Sequence, residues 1–177
     1  MKNVVVIGGS GFIGSHTADE LSKLGYNVTI FDRRPSPWLR ADQNMIEGDI
    51  LDVDSLDLGL RNADIVYHFA GVSDINEASD RPLDAINLNI MGTALVLDAV
   101  SKLKVERFVY ASTMYVYSSY GSFYRATKQS AETLIEAYYE KVGLEYTLLR
   151  YGSLYGPRAQ DWNGLRGYVR QVVKEGR

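Results

Sequence analysis

One stretch near the N-terminus, Gly8-Gly9-Ser10-Gly11-Phe12-Ile13-Gly14, constrains this chain more than any other. It follows the continuous apolar run Val4-Val5-Val6-Ile7, which reads as a strand covered on both faces. A helical pattern from Phe12 to Leu24 comes next and stops at Gly25. Glycines spaced G-x-x-G-x-x-G at such a junction permit a tight turn, let backbone approach a pyrophosphate, and bring helix close to strand. The start of the helix then presents unpaired N–H groups and a partial positive charge to phosphate. With 16 glycines in the chain, the spacing alone would arise by chance on the order of 0.1 times. The flanking strand and helix are what make Gly8, Gly11, Phe12, Ile13 and Gly14 the expected phosphate cradle of a dinucleotide.

Asp32 ends the next strand, Val28-Thr29-Ile30-Phe31, roughly 20 residues further on. A carboxylate there accepts hydrogen bonds from the ribose hydroxyls of an adenosine and repels a 2′-phosphate, which favours NAD over NADP. Arg33 and Arg34 pull the other way, because an arginine at this point accommodates that phosphate or stacks on adenine.

The remaining pattern alternates strands with helices. Strands are expected at Met45–Glu47, Ile65–Phe69, Phe108–Ala111 and Tyr146–Leu149, with helices at Val53–Leu60, Asp84–Leu103 and Tyr124–Val142. Each parallel crossover needs a covering helix, so the alternation implies an α/β fold built on a doubly wound parallel sheet. Right-handed crossovers leave 3-2-1-4-5-6 as the natural strand order. Residues 1–150 complete that sheet, while 151–177, rich in Gly, Tyr and Arg and ending in a helix from Leu165 to Lys174, form the start of a further region.

Composition narrows the partners. A net charge of −3 and a pI near 5.4 give no electrostatic reason to expect nucleic acid or an anionic membrane. With no cysteine there are neither disulfides nor thiolate metal sites, and the carboxylates Asp52, Asp54 and Asp57 read as a solvated helix face, so no metal is expected. The first apolar run is broken by glycine too early for a signal peptide, and no window is expected to approach the length of a membrane span. A cytoplasmic protein is the expectation.

Tyr124-Arg125-Ala126-Thr127-Lys128 sets a tyrosine and a lysine on one helix face. A phenol is a poor base at neutral pH unless a nearby cation favours the phenolate. With 13 tyrosines, the Y-x-x-x-K spacing arises by chance about half the time, so location decides. The pair opens the helix after the fifth strand, whose carboxyl end carries Ser112-Thr113, and ligands bind at the carboxyl ends of such strands. Tyr115, Tyr117 and Tyr120 lack a lysine four residues later and read as pocket walls or turn packing, while His16 and His68 read as structural.

At this point the chain resembles the extended short-chain dehydrogenase/reductase family, in its NAD-dependent nucleotide-sugar epimerase/dehydratase branch, whose fold is the Rossmann fold. The resemblance runs from Met1 to about Arg158. It rests on the G-x-x-G-x-x-G spacing, Gly48-Asp49-Ile50, His68-Phe69-Ala70-Gly71, Asn89-Ile90-Met91-Gly92-Thr93, Tyr124 with Lys128, and Arg150-Tyr151-Gly152-Ser153-Leu154-Tyr155-Gly156-Pro157, all in the family's order. It implies that Thr113, Tyr124 and Lys128 are catalytic, with Tyr124 as acid–base and Lys128 binding the nicotinamide ribose and depressing the tyrosine pKa. It further implies that Arg33, Asp49, Ile50, Phe69, Ala70, Gly71, Asn89 and Tyr151 join the glycine loop and Asp32 around NAD. Ser112, Thr113, Ser153 and Arg158 would meet a nucleotide-sugar substrate.

Met114 and Tyr115 stand where family dehydratases and decarboxylases carry acidic residues, which leaves epimerisation, or simple oxidation and reduction, as the better expectation. Ser153 stands where relatives often have asparagine against the substrate diphosphate. The Asp84–Leu103 helix is apolar on more than one face, which suits a homodimer of the kind the family forms through this helix and the tyrosine-bearing one. Family members continue well past Arg177, so this chain is read as a fragment or short form that lacks most of the substrate domain. The competing reading is a non-catalytic NAD-binding module or redox-responsive regulator; the joint presence of Thr113, Tyr124 and Lys128 favours the enzyme.

Overall fold

The computed structural model describes residues 1–103, 105–161 and 163–176. Six strands, β1 (Asn3–Ile7), β2 (Asn27–Asp32), β3 (Gln43–Glu47), β4 (Ile65–His68), β5 (Arg107–Thr113) and β6 (Tyr146–Tyr151), form one sheet in the order β3-β2-β1-β4-β5-β6. Every pairing is parallel, with Val4 beside Val28 and Ile65, and Phe108 beside Tyr146. The doubly wound order expected from the alternation is the one observed.

Alternation along each strand sorts the core into two layers. Val5, Ile7, Phe31, Val66, Phe108 and Tyr110 face one side and pack against α2 (Val53–Gly59), α5 (Thr93–Leu103) and α6 (Ser122–Val142) through Leu56, Val96, Leu97, Val100, Ala131 and Ile135. Val4, Val6, Val28 and Ile30 face the other side, against Ala18 and Leu21 of α1 (Phe12–Lys23). β1 is therefore sealed on both faces, which is why it carries four consecutive buried aliphatic residues.

Three local features differ from the sequence expectation. A short helix, α3 (Ile75–Asp80), follows β4; Asp74 caps it by accepting the Glu77 N–H at 2.8 Å. The helix expected from Asp84 starts earlier, as α4 (Pro82–Ile86), with proline in its first turn, and passes through a π-helical segment, Asn87–Gly92, before α5. Taken together, Pro82–Leu103 is 22 residues long with a mean hydropathy of 1.4, so a window of membrane-spanning length does exist. Its inner face, including Ala85, Asn89, Val96 and Val100, is buried within the fold, while Leu83, Ile86 and Met91 on the outer face are exposed. The last helix, α7 (Gly164–Glu175), is capped by Asn163, whose side chain accepts the Arg166 N–H at 3.0 Å.

Candidate active site

A cleft of about 850 Å³ crosses the carboxyl ends of the strands, a volume within the range of small-molecule and cofactor sites. Its floor is the glycine loop. Gly8 leaves β1 with φ +80°, and Gly11 donates to the Gly8 carbonyl at 3.1 Å before α1 begins. α1 has no side-chain cap, and its first residues, Phe12, Ile13 and Gly14, line the cleft. An uncapped N-terminus that opens into a cleft leaves its amide donors for a ligand.

At one end lie Asp32, Arg33, Arg34, Gly48 and Ile50. The Asp32 carboxylate accepts the Ser10 N–H at 3.0 Å and the Arg34 N–H at 3.2 Å, so it is fixed against the glycine loop with lone pairs left over. Asp49 belongs elsewhere: its carboxylate accepts the Leu51 N–H at 3.0 Å and faces Arg33 at 3.9 Å, and it does not line the cleft.

The middle is walled by Phe69, Ala70 and Gly71 after β4 and by Ala111, Ser112 and Thr113 at the end of β5. Tyr124 and Lys128 enter from α6, so the expected Thr113, Tyr124 and Lys128 come together in the cleft that holds the glycine loop. Burial pushes the Tyr124 phenol above its ordinary range, while the Thr113 hydroxyl beside it favours the phenolate. The expectation that Lys128 depresses this phenol is not met in this arrangement. The Lys128 ammonium donates instead to the Ala111 carbonyl at 2.9 Å and the Tyr110 hydroxyl at 3.3 Å, and lies 4.7 Å from the Tyr110 ring centre. Burial lowers its pKa to about 8.

Two further expectations are corrected. Asn89 does not reach the cleft. It is 1% exposed, its Oδ1 accepts the Val72 N–H at 2.8 Å, and its Nδ2 donates to the Val72 carbonyl and the Thr127 hydroxyl at 3.0 Å each. It clamps the loop after β4 to α6, a use of a buried amide that the sequence does not distinguish from a ligand contact. Arg158 does not line the cleft. Its guanidinium pairs with Asp19 of α1 at 2.8 Å and stacks over Trp38 at 4.7 Å, and the residue adopts φ +66° to do so. Nearby, His16 Nε2 meets the Pro157 carbonyl at 2.9 Å, so α1 holds this loop twice.

Ser112 lines the cleft, yet its hydroxyl is donated to the buried carboxylate of Glu132. Tyr151 and Ser153 line the far end, joined there by Gln160, Asn163, Leu165 and Tyr168 around α7, none of which the sequence had singled out. His68 is fully buried, bonded to the Thr93 hydroxyl at 3.1 Å and kept neutral, with a pKa lowered by burial to about 3.

Comparison with known proteins fits this geometry. The model of the family described as the NAD-dependent epimerase/dehydratase family matches residues 4–176. Among curated proteins, the chain is similar to a UDP-N-acetyl-alpha-D-glucosaminuronate decarboxylase of Bacillus cytotoxicus, at 33% identity over 90% of this chain and 57% of the relative. Among solved structures it is similar to the UDP-glucose 4-epimerase of Thermotoga maritima with UDP-glucose, at TM-score 0.90 and 27% identity over 98% of this chain and 63% of that one. It is similar as well to the UDP-glucose 4-epimerase of Thermus thermophilus in complex with NAD, at TM-score 0.89 and 26% identity, again over 98% of this chain and 63% of that one. The chain thus spans about three-fifths of the length of the proteins it matches.

Proposed function

Since the chain belongs to the NAD-dependent epimerase/dehydratase family, we propose that it is the NAD-binding part, residues 1–150, and the beginning of the substrate region, 151–177, of a nucleotide-sugar epimerase. The observation that carries this reading is the convergence of Thr113, Tyr124 and Lys128 on the cleft floored by the glycine loop.

The residues present fit the cofactor. The uncapped start of α1 would take the pyrophosphate, the lone pairs left on Asp32 the adenosine ribose, and Lys128 the second ribose. When bound, NAD supplies a hydride acceptor in the cleft. Tyr124 would take the proton of a sugar hydroxyl at its phenolic oxygen while that carbon is oxidised, and would return it when the carbon is reduced. Thr113 holds the reacting hydroxyl, and its hydrogen bond to the phenol offsets part of the burial that keeps Tyr124 protonated.

Relatives with decarboxylase and epimerase names both occur, so similarity alone leaves the reaction open. The residues after Thr113 favour epimerisation. Elimination and decarboxylation call for an acid or base beside the reacting carbon, and Met114 and Tyr115 supply no carboxylate. Among the described residues, the acidic groups lining the cleft are Asp32, tied to the glycine loop, and Asp74, which caps α3. The exposed face of Leu83, Ile86 and Met91 suits a second subunit.

The test is a calorimetric titration of NAD, followed by assays of UDP- and dTDP-sugars with wild type and Tyr124→Phe. NAD binding by both proteins, with turnover by the wild type only, is the expected result. NAD binding without reaction or protection by any sugar nucleotide would leave a binding module in place of an enzyme.

A further inference from the structure

The mechanism above makes no use of one carboxylate beside it. Glu132 lies one helical turn beyond Lys128 on α6 and is 8% exposed. Both of its oxygens are engaged. Oε1 accepts from the Ser112 hydroxyl and from Arg150 Nε at 3.0 Å, and Oε2 accepts from Arg150 Nη2 at 2.8 Å. A two-pronged guanidinium–carboxylate contact is the geometry that fixes both partners most firmly. Arg150 is itself steadied by Tyr117, whose hydroxyl accepts from Nη1 and whose ring lies under the guanidinium at 4.9 Å. Through Glu132, α6 is tied to β6 and to the end of β5, one residue before Thr113.

The placement has an electrostatic side. The direct partners of the Lys128 ammonium, a carbonyl and a phenol, are neutral. A buried cation with neutral partners alone is costly, so the nearest fixed negative charge matters. The titratable groups around it are His68 on β4, Tyr110 on β5, and Tyr124 and Glu132 on α6, with Arg150 of β6 behind Glu132. Burial keeps His68, Tyr110 and Tyr124 uncharged near neutral pH. Burial pushes Glu132 up as well, but the Arg150 and Ser112 hydrogen bonds and the charges of Arg150 and Lys128 together hold it below its ordinary range. Of these groups, Glu132 is the anion.

We propose that Glu132 is a positioning residue that braces the lysine helix against β5 and β6 and supplies the counter-charge for Lys128, with Arg150 as the gate on that charge. The proposal rests on the reading that Lys128 serves the cofactor site. A simple brace between α6 and β6 would be indifferent to the charge state of Lys128. A counter-charge shared between two cations is not, because removing either neighbour changes what the other feels.

The experiment titrates the lysine side-chain resonances of the full chain labelled with ¹³C-lysine, with the Lys128 signal identified by its loss in Lys128→Arg. In the wild type the Lys128 midpoint is expected near pH 8. Glu132→Gln keeps the size and part of the bonding but removes the charge, and is expected to lower the midpoint by about one unit. Arg150→Gln removes the competing cation and is expected to raise it. A structural brace predicts no such opposition of sign. If both midpoints stay within about 0.2 units of the wild type, or move in the same direction, the proposal is wrong. Should Glu132→Gln not fold, the direction of the Arg150→Gln shift decides alone. Since no cofactor or sugar is added, a failure here leaves the NAD and epimerase reading standing, and a failure to bind NAD leaves this result standing.

Discussion

A methyl group placed on Gly14 would lie 2.2 Å from the Gly8 carbonyl oxygen and 2.8 Å from both the Gly8 carbonyl carbon and Gly9 Cα. All three are backbone atoms, so no side-chain rotation relieves the overlap; α1 must lift away from the end of β1. The same methyl group on Gly11 meets only the Gly8 oxygen, at 3.3 Å, and the Gly11 backbone, φ −79° and ψ −178°, suits any residue. Overpacking of the Gly14 kind costs about 2–3 kcal/mol. At roughly 2–4 °C per kcal/mol for a domain of this size, Gly14→Ala should melt about 4–12 °C below the wild type. Gly11→Ala should melt within about 2 °C of it, since the lost freedom of the unfolded chain offsets the close contact. NAD binding should separate the two differently. On the proposed site, a methyl group at Gly11 would stand where backbone approaches the pyrophosphate, so affinity should fall about tenfold or more in a protein that is otherwise intact. Thermal unfolding by circular dichroism and calorimetric titration with NAD measure both quantities. A Gly14→Ala protein that melts with the wild type, or a Gly11→Ala protein as unstable as Gly14→Ala, would refute the assignment of one glycine to packing and the other to the ligand.

Lys128 titrates near 8 when folded, against an ordinary 10.5, so carrying its proton costs the fold about 3 kcal/mol at neutral pH. The unfolded chain binds the extra proton between pH 8 and 10.5, so wild-type stability should rise with pH through that window; Lys128→Met should remove the rise, melt higher at pH 7 and lose NAD affinity. His68 is lowered from 6.5 to about 3, so below pH 6.5 the unfolded chain gains a proton that the native one refuses, and stability should fall as pH drops. The loss is about 2 kcal/mol by pH 5, and His68→Asn should flatten the slope in urea titrations between pH 6.5 and 4.5. Arg158→Ala strands Asp19, a partner only 15% exposed, and should cost about 2 kcal/mol; a double-mutant cycle with Asp19→Ala that shows no coupling would refute the pairing.

What could be read from sequence was what the backbone demands locally. The glycine spacing, the β-branched runs and the crossover helices each follow from steric or periodic rules, and the strand order followed from them. Tyr124 and Lys128 were legible because the i, i+4 spacing and the strand before them fix their direction. Arg158 was misread because its partners lie 139 residues away at Asp19 and on the β2–β3 loop at Trp38, and a loop arginine in sequence has no visible partner. Asn89 was misread for a related reason: the amide is satisfied by Val72 and Thr127, contacts made only once the fold closes. The π-helical segment around it was hidden because its residues, Asn87–Gly92, follow an ordinary helical pattern. Glu132 did leave a trace, since Tyr124, Lys128 and Glu132 recur every four residues along one face, but an acid on an amphipathic helix reads first as solvated.

The Asn89 clamp makes a single amide the hinge pin between two working parts. One side of that pin is the Val72 backbone, next to Gly71 in the cleft wall; the other is Thr127, next to Lys128. If a ligand that shifts the wall also shifts the lysine through this amide, the effect must run equally in the other direction. On the proposed reading, Asn89→Ala should therefore weaken NAD binding and turnover together, and a variant that changes one without the other would break the link between them.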